Sequence, residues 1–535
     1  MKTVGVSGIR DYGCWRPTFD ALGAAFGVTF EERTFGDERC VDAWLVLDAD
    51  RNLLAEHAVS RPCYVVLHAN ELRRAASSSK LTFASRPDVL GVLAGRDISA
   101  DDVPDANTLP GWLGDATPLA FKDGEPVWAI HHGSGRRCHY VALPPPQLKP
   151  DEPLFAHLGA KRMARLLPLI VFLRSLTDAG WQPPPLQASF MFDDPNLHWT
   201  SYGFIDYRQM VKQALAGRYH VSVATIPLDA WLVHPKARAI FKQHSDVLSL
   251  LFHGNDHVSD ELGRPISAQA TSEMLTQALT RIARMESRTG LEVARVMAPP
   301  HGACSEATIA GMARLGFEAV CVSRGSLHYH NPGAAWLQTV GMKPCDIVRG
   351  LPVIPRFGLS RNCTNDILIA ALLAQPIVPM THHQMVAEGY QVLDDTASLI
   401  HSLGPVRWHD MQSISRSLYA QQLGNGTLSI RMFSRMITVP VPFGVKEVRI
   451  VTESPTPLFW RRSNHSAWNA APPDVIPAEP GTTVEIASMT PEPQQHGMGR
   501  RRLKPVARRL LTAGRDRMLP SIHRLARVRR STSFV

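Results

Sequence analysis

The chain has 535 residues, 44% hydrophobic and 20% charged, which is room for about three domains with substantial cores. Its formal charge of +9 is unevenly placed: from Gly499 onward there are twelve Arg or Lys and one acid, Asp516, a net of +11, so the remainder sums to about −2. A near-neutral body excludes a chain that binds nucleic acid along its whole surface, and only the tail is basic.

The amino terminus, MKTVGVSGIRDYGCW, has a short apolar run broken by Gly and lacks the apolar core of a secretory signal. Residues 1–143 alternate strand-like runs (TVGVSG, VTFEERTF, DAWLVLDA, CYVVLHA) with the helical stretches PTFDALGAAFG and NELRRAA. VWAIHHGSGRRCHYVALP reads as two β-runs around a Gly-Ser-Gly turn, so its histidines are assigned to a hairpin tip. The alternation predicts a small α/β layer domain. It loosely resembles the class I glutamine-amidotransferase-like fold, but has no Gly-x-Cys-x-Gly nucleophile elbow, so the resemblance implies fold and no activity.

Residues 144–186 begin with the proline-rich PPPQLKPDEP, a stiff linker, and continue into FAHLGAKRMARLLPLIVFLRSLTDAG, expected to be one docking helix. Its longest aliphatic-aromatic run, Leu166–Leu173, is far below the ~20 residues that span a bilayer. From 187 to 423 the alternation becomes regular: QASFMF, HVSVATIP, VLSLLF, ARVMAPP, EAVCVS, DIVRGLPVIPRF and PIVPMT are each followed by a helical stretch. Seven such units predict an α/β fold built on a parallel (β/α) barrel, distorted or seven-stranded, with reacting groups where strands end and loops begin. Residues 424–490 carry short β-runs broken by Pro and Gly, a small β appendage. Residues 491–535 are Pro/Gln-rich and then Arg-rich, a basic, flexible tail with Leu and Val interleaved, suited to an anionic membrane surface or an acidic polymer. The eight cysteines are scattered with no CxxC pair, which fits reduced thiols in a cytoplasmic protein.

Three strand ends in the 187–423 region carry unusual polar residues. SFMF runs into Asp193-Asp194 and a proline; LSLLF runs into HGNDH, with His253 and His257; PIVPMT runs into His382-His383. Apolar strands that empty into one carboxylate and two imidazoles supply the donor types of a catalytic zinc, which takes three protein ligands and keeps an open position. The H-x-x-x-H spacing does not make a helical metalloprotease motif, because Gly254 stands where the glutamate base belongs and the pair follows a strand.

FDD at 192–194, HGNDH at 253–257, APPHG at 298–302 and MTHH at 380–383 occur in the order of the polysaccharide deacetylase motifs, and residues 187–423 resemble that superfamily (the chitooligosaccharide-deacetylase homology domain) with divergent third and fourth motifs. The resemblance implies that Asp194, His253 and His257 hold a divalent ion, commonly zinc. It implies that Asp193 is the base that deprotonates the attacking water. Pro300, His301 and Gly302 would form a wall with an oxyanion donor, and His382, or alternatively His383, would protonate the leaving amine. His198 and Trp199 are candidates for lining a sugar groove. Ala298 stands where the family has an Arg paired to the base, Arg295 falls on the opposite strand face, and the acidic motif that orients the catalytic histidine has no match between Ala303 and Ile377. The expected function is a metal-dependent hydrolase of an N-acetylated sugar or glycan precursor; the alternative is a carbohydrate-binding or polysaccharide-assembly protein that keeps the barrel without turnover.

Overall fold

The computed structural model describes residues 1–532 except 10, 57–59, 75–77, 104–106, 134–135, 160–161, 452–456, 463–466, 471–474 and 489–502. Its contacts divide the chain into two compact units. One comprises Met1–Trp181, Gly333–Lys343 and Asn362–Leu373; the other comprises Gln182–Pro332, Pro344–Arg361 and Ala374–Val535.

The first unit is built on a nine-stranded mixed sheet. Its parallel half runs Val28–Glu32, Lys2–Ser7, Ala43–Ala49, Cys63–Leu67, Arg136–Val141; Glu125–Gly133, Thr117–Lys122, Lys80–Phe83 and Asp97–Ser99 continue it antiparallel. The run AWLVL is buried without interruption, as expected of a central parallel strand covered on both faces. Helix Tyr12–Phe26 starts where the Asp11 carboxylate accepts from the Gly13 amide and ends at Gly27, left-handed at φ 67°. The docking helix expected as one piece is instead a 3-10 turn, Leu154–Leu158, and a helix, Leu167–Thr177. Pro168 lies in that helix's first turn, where a missing N–H costs nothing, and could not sit in the interior of a longer one. Helix Thr364–Leu372, expected among the barrel helices, groups with this first unit, where the Asn365 amide donates to the Ser99 carbonyl at 2.7 Å; its residues Ile367–Ala371 are all buried.

In the second unit the order of the main sheet is Asp346–Val348, Leu351–Pro355, Ala319–Val322, Val293–Met297, Leu248–Phe252, Val221–Thr225, Phe190–Asp193, Pro379–Thr381, Phe357–Gly358. Every pairing is parallel except that of the Asp346–Val348 strand. The two strands near opposite ends of that order, Leu351–Pro355 and Phe357–Gly358, are separated in sequence by Arg356 alone. One extended segment thus pairs first with Ala319–Val322 (Val320 opposite Val353) and then with Pro379–Thr381 (Phe357 opposite Pro379). Met191, Ala224, Leu251, Val296, Cys321 and Ile354, from six strands of the sheet, form a single buried cluster with Val378, Met411, Ile414 and Leu418. Because the strands are parallel, their carboxyl ends share one edge, and the polar strand ends gather there.

Residues Tyr419–Ala487 form two four-stranded sheets whose inner faces share one core, including Leu428, Ile430, Ile437, Val448, Val484 and Ile486. The tail expected to be flexible contains a helix, Leu503–Thr532; over 507–523, where its side chains are described, one face is buried. Arg509 and Asp516, both in that basic run, have partners on the body: Asp229 for the first, Tyr202 for the second. Among the described residues no helix is long and apolar enough to cross a membrane.

Candidate metal centre

The Phe190–Asp193 strand is fully buried, and Asp193 pairs across to Ala224 before the chain turns. Asp194 takes a left-handed conformation, φ 85°, which a short polar residue tolerates. That turn breaks the alternation of the pleat. Asp193 stays in the interior at 2% exposure, and Asp194 reaches the two histidines.

His253 and His257 flank a tight loop after the Leu248–Phe252 strand. Gly254 has φ 65°, and a Cβ there would sit 2.2 Å from Glu261 and 2.6 Å from Pro300, so no other residue fits. The loop is wound around the Glu261 carboxylate, which accepts from the amides of Asn255 (2.6 Å), Asp256 (3.1 Å), His257 (3.1 Å) and Val258 (3.4 Å). Glu261 is 7% exposed and therefore sets the direction in which His257 points. Glu261→Ala is expected to leave buried amides without acceptors, costing on the order of 3 kcal/mol; a thermal melt reads the loss, and metal affinity falls with it.

The Nε2 atoms of His253 and His257 lie 3.4 and 3.0 Å from Asp194 Oδ1, and the three donor atoms lie within 4.8 Å of one another. His253 Nδ1 is 2.8 Å from the Ala298 carbonyl, which can only accept, so Nδ1 carries the proton and Nε2 presents its lone pair. Neither Asp194 Oδ1 nor His253 Nε2 has a hydrogen-bond partner, although both are buried. Buried orphan donors aimed at one point fit a cation better than they fit one another. Charge agrees. Burial alone would raise the Asp194 carboxyl, but the His253 and His257 imidazoles hold it well below the usual carboxylate range. Burial opposes charge on His253, while Asp193 and Asp194 outweigh it and raise that imidazole. The same anionic field attracts a metal.

Arg356 ion-pairs with Asp193: Nη1 donates to Oδ1 at 2.9 Å, with the two side chains 1% and 2% exposed, and Nη2 donates to the Pro299 carbonyl at 3.3 Å. Arg356 is the single residue between the two paired halves of the 351–358 segment, so the position where the strand changes partner delivers a guanidinium to Asp193. Ala298 therefore does not leave Asp193 without a cation. Arg295 bonds Glu286 instead, as its strand face requires. Sequence reading missed Arg356 because it searched the stretch before APPHG; the available signal was a charged residue ending the apolar run LPVIP.

The remaining candidates divide. His382 Nε2 is 3.8 Å from Asp194 Oδ2 and 49% exposed, at the mouth of the site. His383 is 2% exposed and packed between Tyr202 and Phe204, with ring centroids at 5.4 and 5.6 Å, against Gly203, whose absent Cβ would lie 2.3 Å from Nδ1. His383 is thus packed into the wall, and His382 is the more open of the two imidazoles. His301 is exposed at φ 57°, its ring 5.0 Å from that of His257; burial and the neighbouring His257 lower its pKa. Pro300 and Gly302 are buried beside it, and the Gly302 and Ala303 amides are taken by the Pro299 and Pro300 carbonyls, which leaves the His301 amide as the segment's candidate oxyanion donor. His198 is buried and bonds the Asp229 carbonyl at 3.0 Å, so it braces the wall and offers no sugar platform. Trp199 is half-buried with the Arg517 guanidinium 4.6 Å over its ring.

No protein-family model matches the chain, and neither does any curated protein sequence. Solved structures similar to it are carbohydrate and polysaccharide deacetylases. Agd3, described as a novel carbohydrate deacetylase, aligns over 91% of this chain and 98% of its own at 8% identity and a TM-score of 0.47. The CE4 domain of a multidomain xylanase from the hindgut metagenome of Trinervitermes trinervoides aligns over 43% and 89% at 11% identity and a TM-score of 0.27. A CE4-family pseudoenzyme from Bacillus anthracis aligns over 44% and 66% at 10% identity and a TM-score of 0.26. At these identities and TM-scores the likeness does not extend to activity.

Proposed function

We propose that this chain is a divalent-metal-dependent deacetylase of the polysaccharide deacetylase type, removing acetyl groups from an N-acetylated sugar or glycan precursor. The observation that carries the reading is the convergence of Asp194, His253 and His257 on one point beside Asp193, a carboxylate held by a buried arginine. In this reading the parallel strands close into a seven-stranded barrel through the 351–358 segment, and the site occupies its mouth. Asp194, His253 and His257 hold the cation, with zinc favoured by the one-carboxylate, two-imidazole set. When bound, the cation supplies Lewis acidity to the acetyl carbonyl and makes water acidic enough to attack near neutral pH.

The chain's own residues do the rest. Asp193 takes the proton that water loses on attack, and the Arg356 ion pair fixes its position. The His301 amide faces the oxygen on which negative charge develops. His382, half-exposed on the Asp194 side of the site, gives a proton to the departing amine, so the products are acetate and a free amino sugar. The second reading, a binding protein without turnover, drew on Ala298 and on the missing acidic motif; Arg356 removes the first of these grounds.

Acetate release from N-acetylglucosamine oligomers by the zinc-loaded chain is the decisive measurement. His382→Ala should lower the rate by roughly 100-fold or more, the usual scale of a lost general acid, with metal content unchanged. Acetate release unaffected by that substitution rejects the role given to His382, and its absence from the zinc-loaded wild type across acetylated sugars rejects the catalytic reading in favour of binding.

A further inference from the structure

The C-terminal helix is built inside out. Across 507–523, Arg509, Ala513 and Asp516 recur at helical spacing and are buried. Arg509 bonds the Asp229 carboxylate, with its closest contact at 2.6 Å, and the Tyr202 hydroxyl donates to Asp516 at 3.0 Å. The body-facing stripe is therefore anchored by charge. On the opposite side, Leu510, Leu511, Met518 and Ile522 are 47, 76, 59 and 56% exposed. Their spacing also fits one helical face, so the apolar stripe of this amphipathic helix points away from the body.

The stripe is edged by exposed Arg508, Arg515 and Arg517, and the helix's single acid, Asp516, is 2% exposed on the other side. An aliphatic ridge between arginine rows is the composition of a helix that lies in the headgroup region of a bilayer. A second copy of the chain would bring these arginines against one another, whereas anionic lipid headgroups complement Arg508 and Arg515 on one edge and Arg517 on the other and accept the aliphatic tips between them. The charge of +11 in residues 499–535 against about −2 elsewhere concentrates the attraction in the C-terminal segment.

We propose that the exposed face of the C-terminal helix is a docking surface for an anionic lipid bilayer. This does not depend on the metal centre being catalytic. The full-length chain is mixed with vesicles of phosphatidylcholine alone and of phosphatidylcholine with phosphatidylglycerol, and the bound fraction is read by flotation. Binding should be at least ~10-fold greater on the anionic vesicles and fall with added salt. Leu511→Ser/Met518→Ser should reduce it ~10-fold, as should Arg508→Gln/Arg515→Gln; these positions are exposed, and unchanged melting temperatures confirm the fold. Equal binding to both vesicle types overturns the proposal, as does variant binding equal to wild type. Two other outcomes also overturn it: retention on a soluble polyanion such as polyphosphate with no vesicle binding, and self-association that Leu511→Ser/Met518→Ser abolishes with no vesicle binding.

Discussion

Asp194→Ala is expected to strip the chain of divalent metal, while the wild type loaded with zinc and desalted retains about one equivalent. The carboxylate is the only anionic member of the Asp194–His253–His257 set, and its Oδ1 faces both imidazoles at 3.4 and 3.0 Å. Its removal takes away a ligand and leaves two imidazoles that repel a cation whenever either is protonated. Affinity should drop by at least ~100-fold, and His253→Ala should do the same because its Nε2 is the buried donor. Elemental analysis after desalting reads the stoichiometry. Metal retained by both variants would place the ion elsewhere and remove the base of the proposed function. Acidification should also release metal from the wild type, because protons compete for the same imidazole lone pairs.

Arg356→Met is expected to be the most destabilising single change near the site. It leaves the Asp193 carboxylate at 2% exposure without its guanidinium, and breaking a buried ion pair by removing one partner costs about 3–5 kcal/mol. Asp193→Asn alone strands the arginine with a similar penalty. In the double variant no uncompensated charge remains, so denaturant unfolding should show most of the stability recovered. Acetate release should not recover, because the proposed base is gone. A double variant no more stable than the sum of the singles would mean that the two side chains are not coupled.

The candidate donor set was legible in the sequence. A carboxylate or histidine ending one apolar run is ordinary turn chemistry, but FDD, HGNDH and MTHH each end an apolar run and occur together in one order. Glu261 was not legible, since nothing in VSDE distinguishes a carboxylate that collects four amides from one in water. His382 and His383 were indistinguishable in sequence, and packing against Gly203 separates them. The helix in the tail and the partners of Arg509 and Asp516 on the body were not legible in an Arg-rich run.

The sequence by itself determined the strand-helix alternation of the 187–423 region, a β-rich segment after it, the localisation of positive charge and the three residues of a candidate metal site. Each of these follows from local periodicity or from residue type. Tertiary structure decided which distant side chains meet. Arg356 reaches Asp193 across 163 positions of chain and Asp516 reaches Tyr202 across 314, and no local preference encodes such a contact. The physical reason is that a buried charge is tolerated only with a partner, and burial is a property of the folded chain.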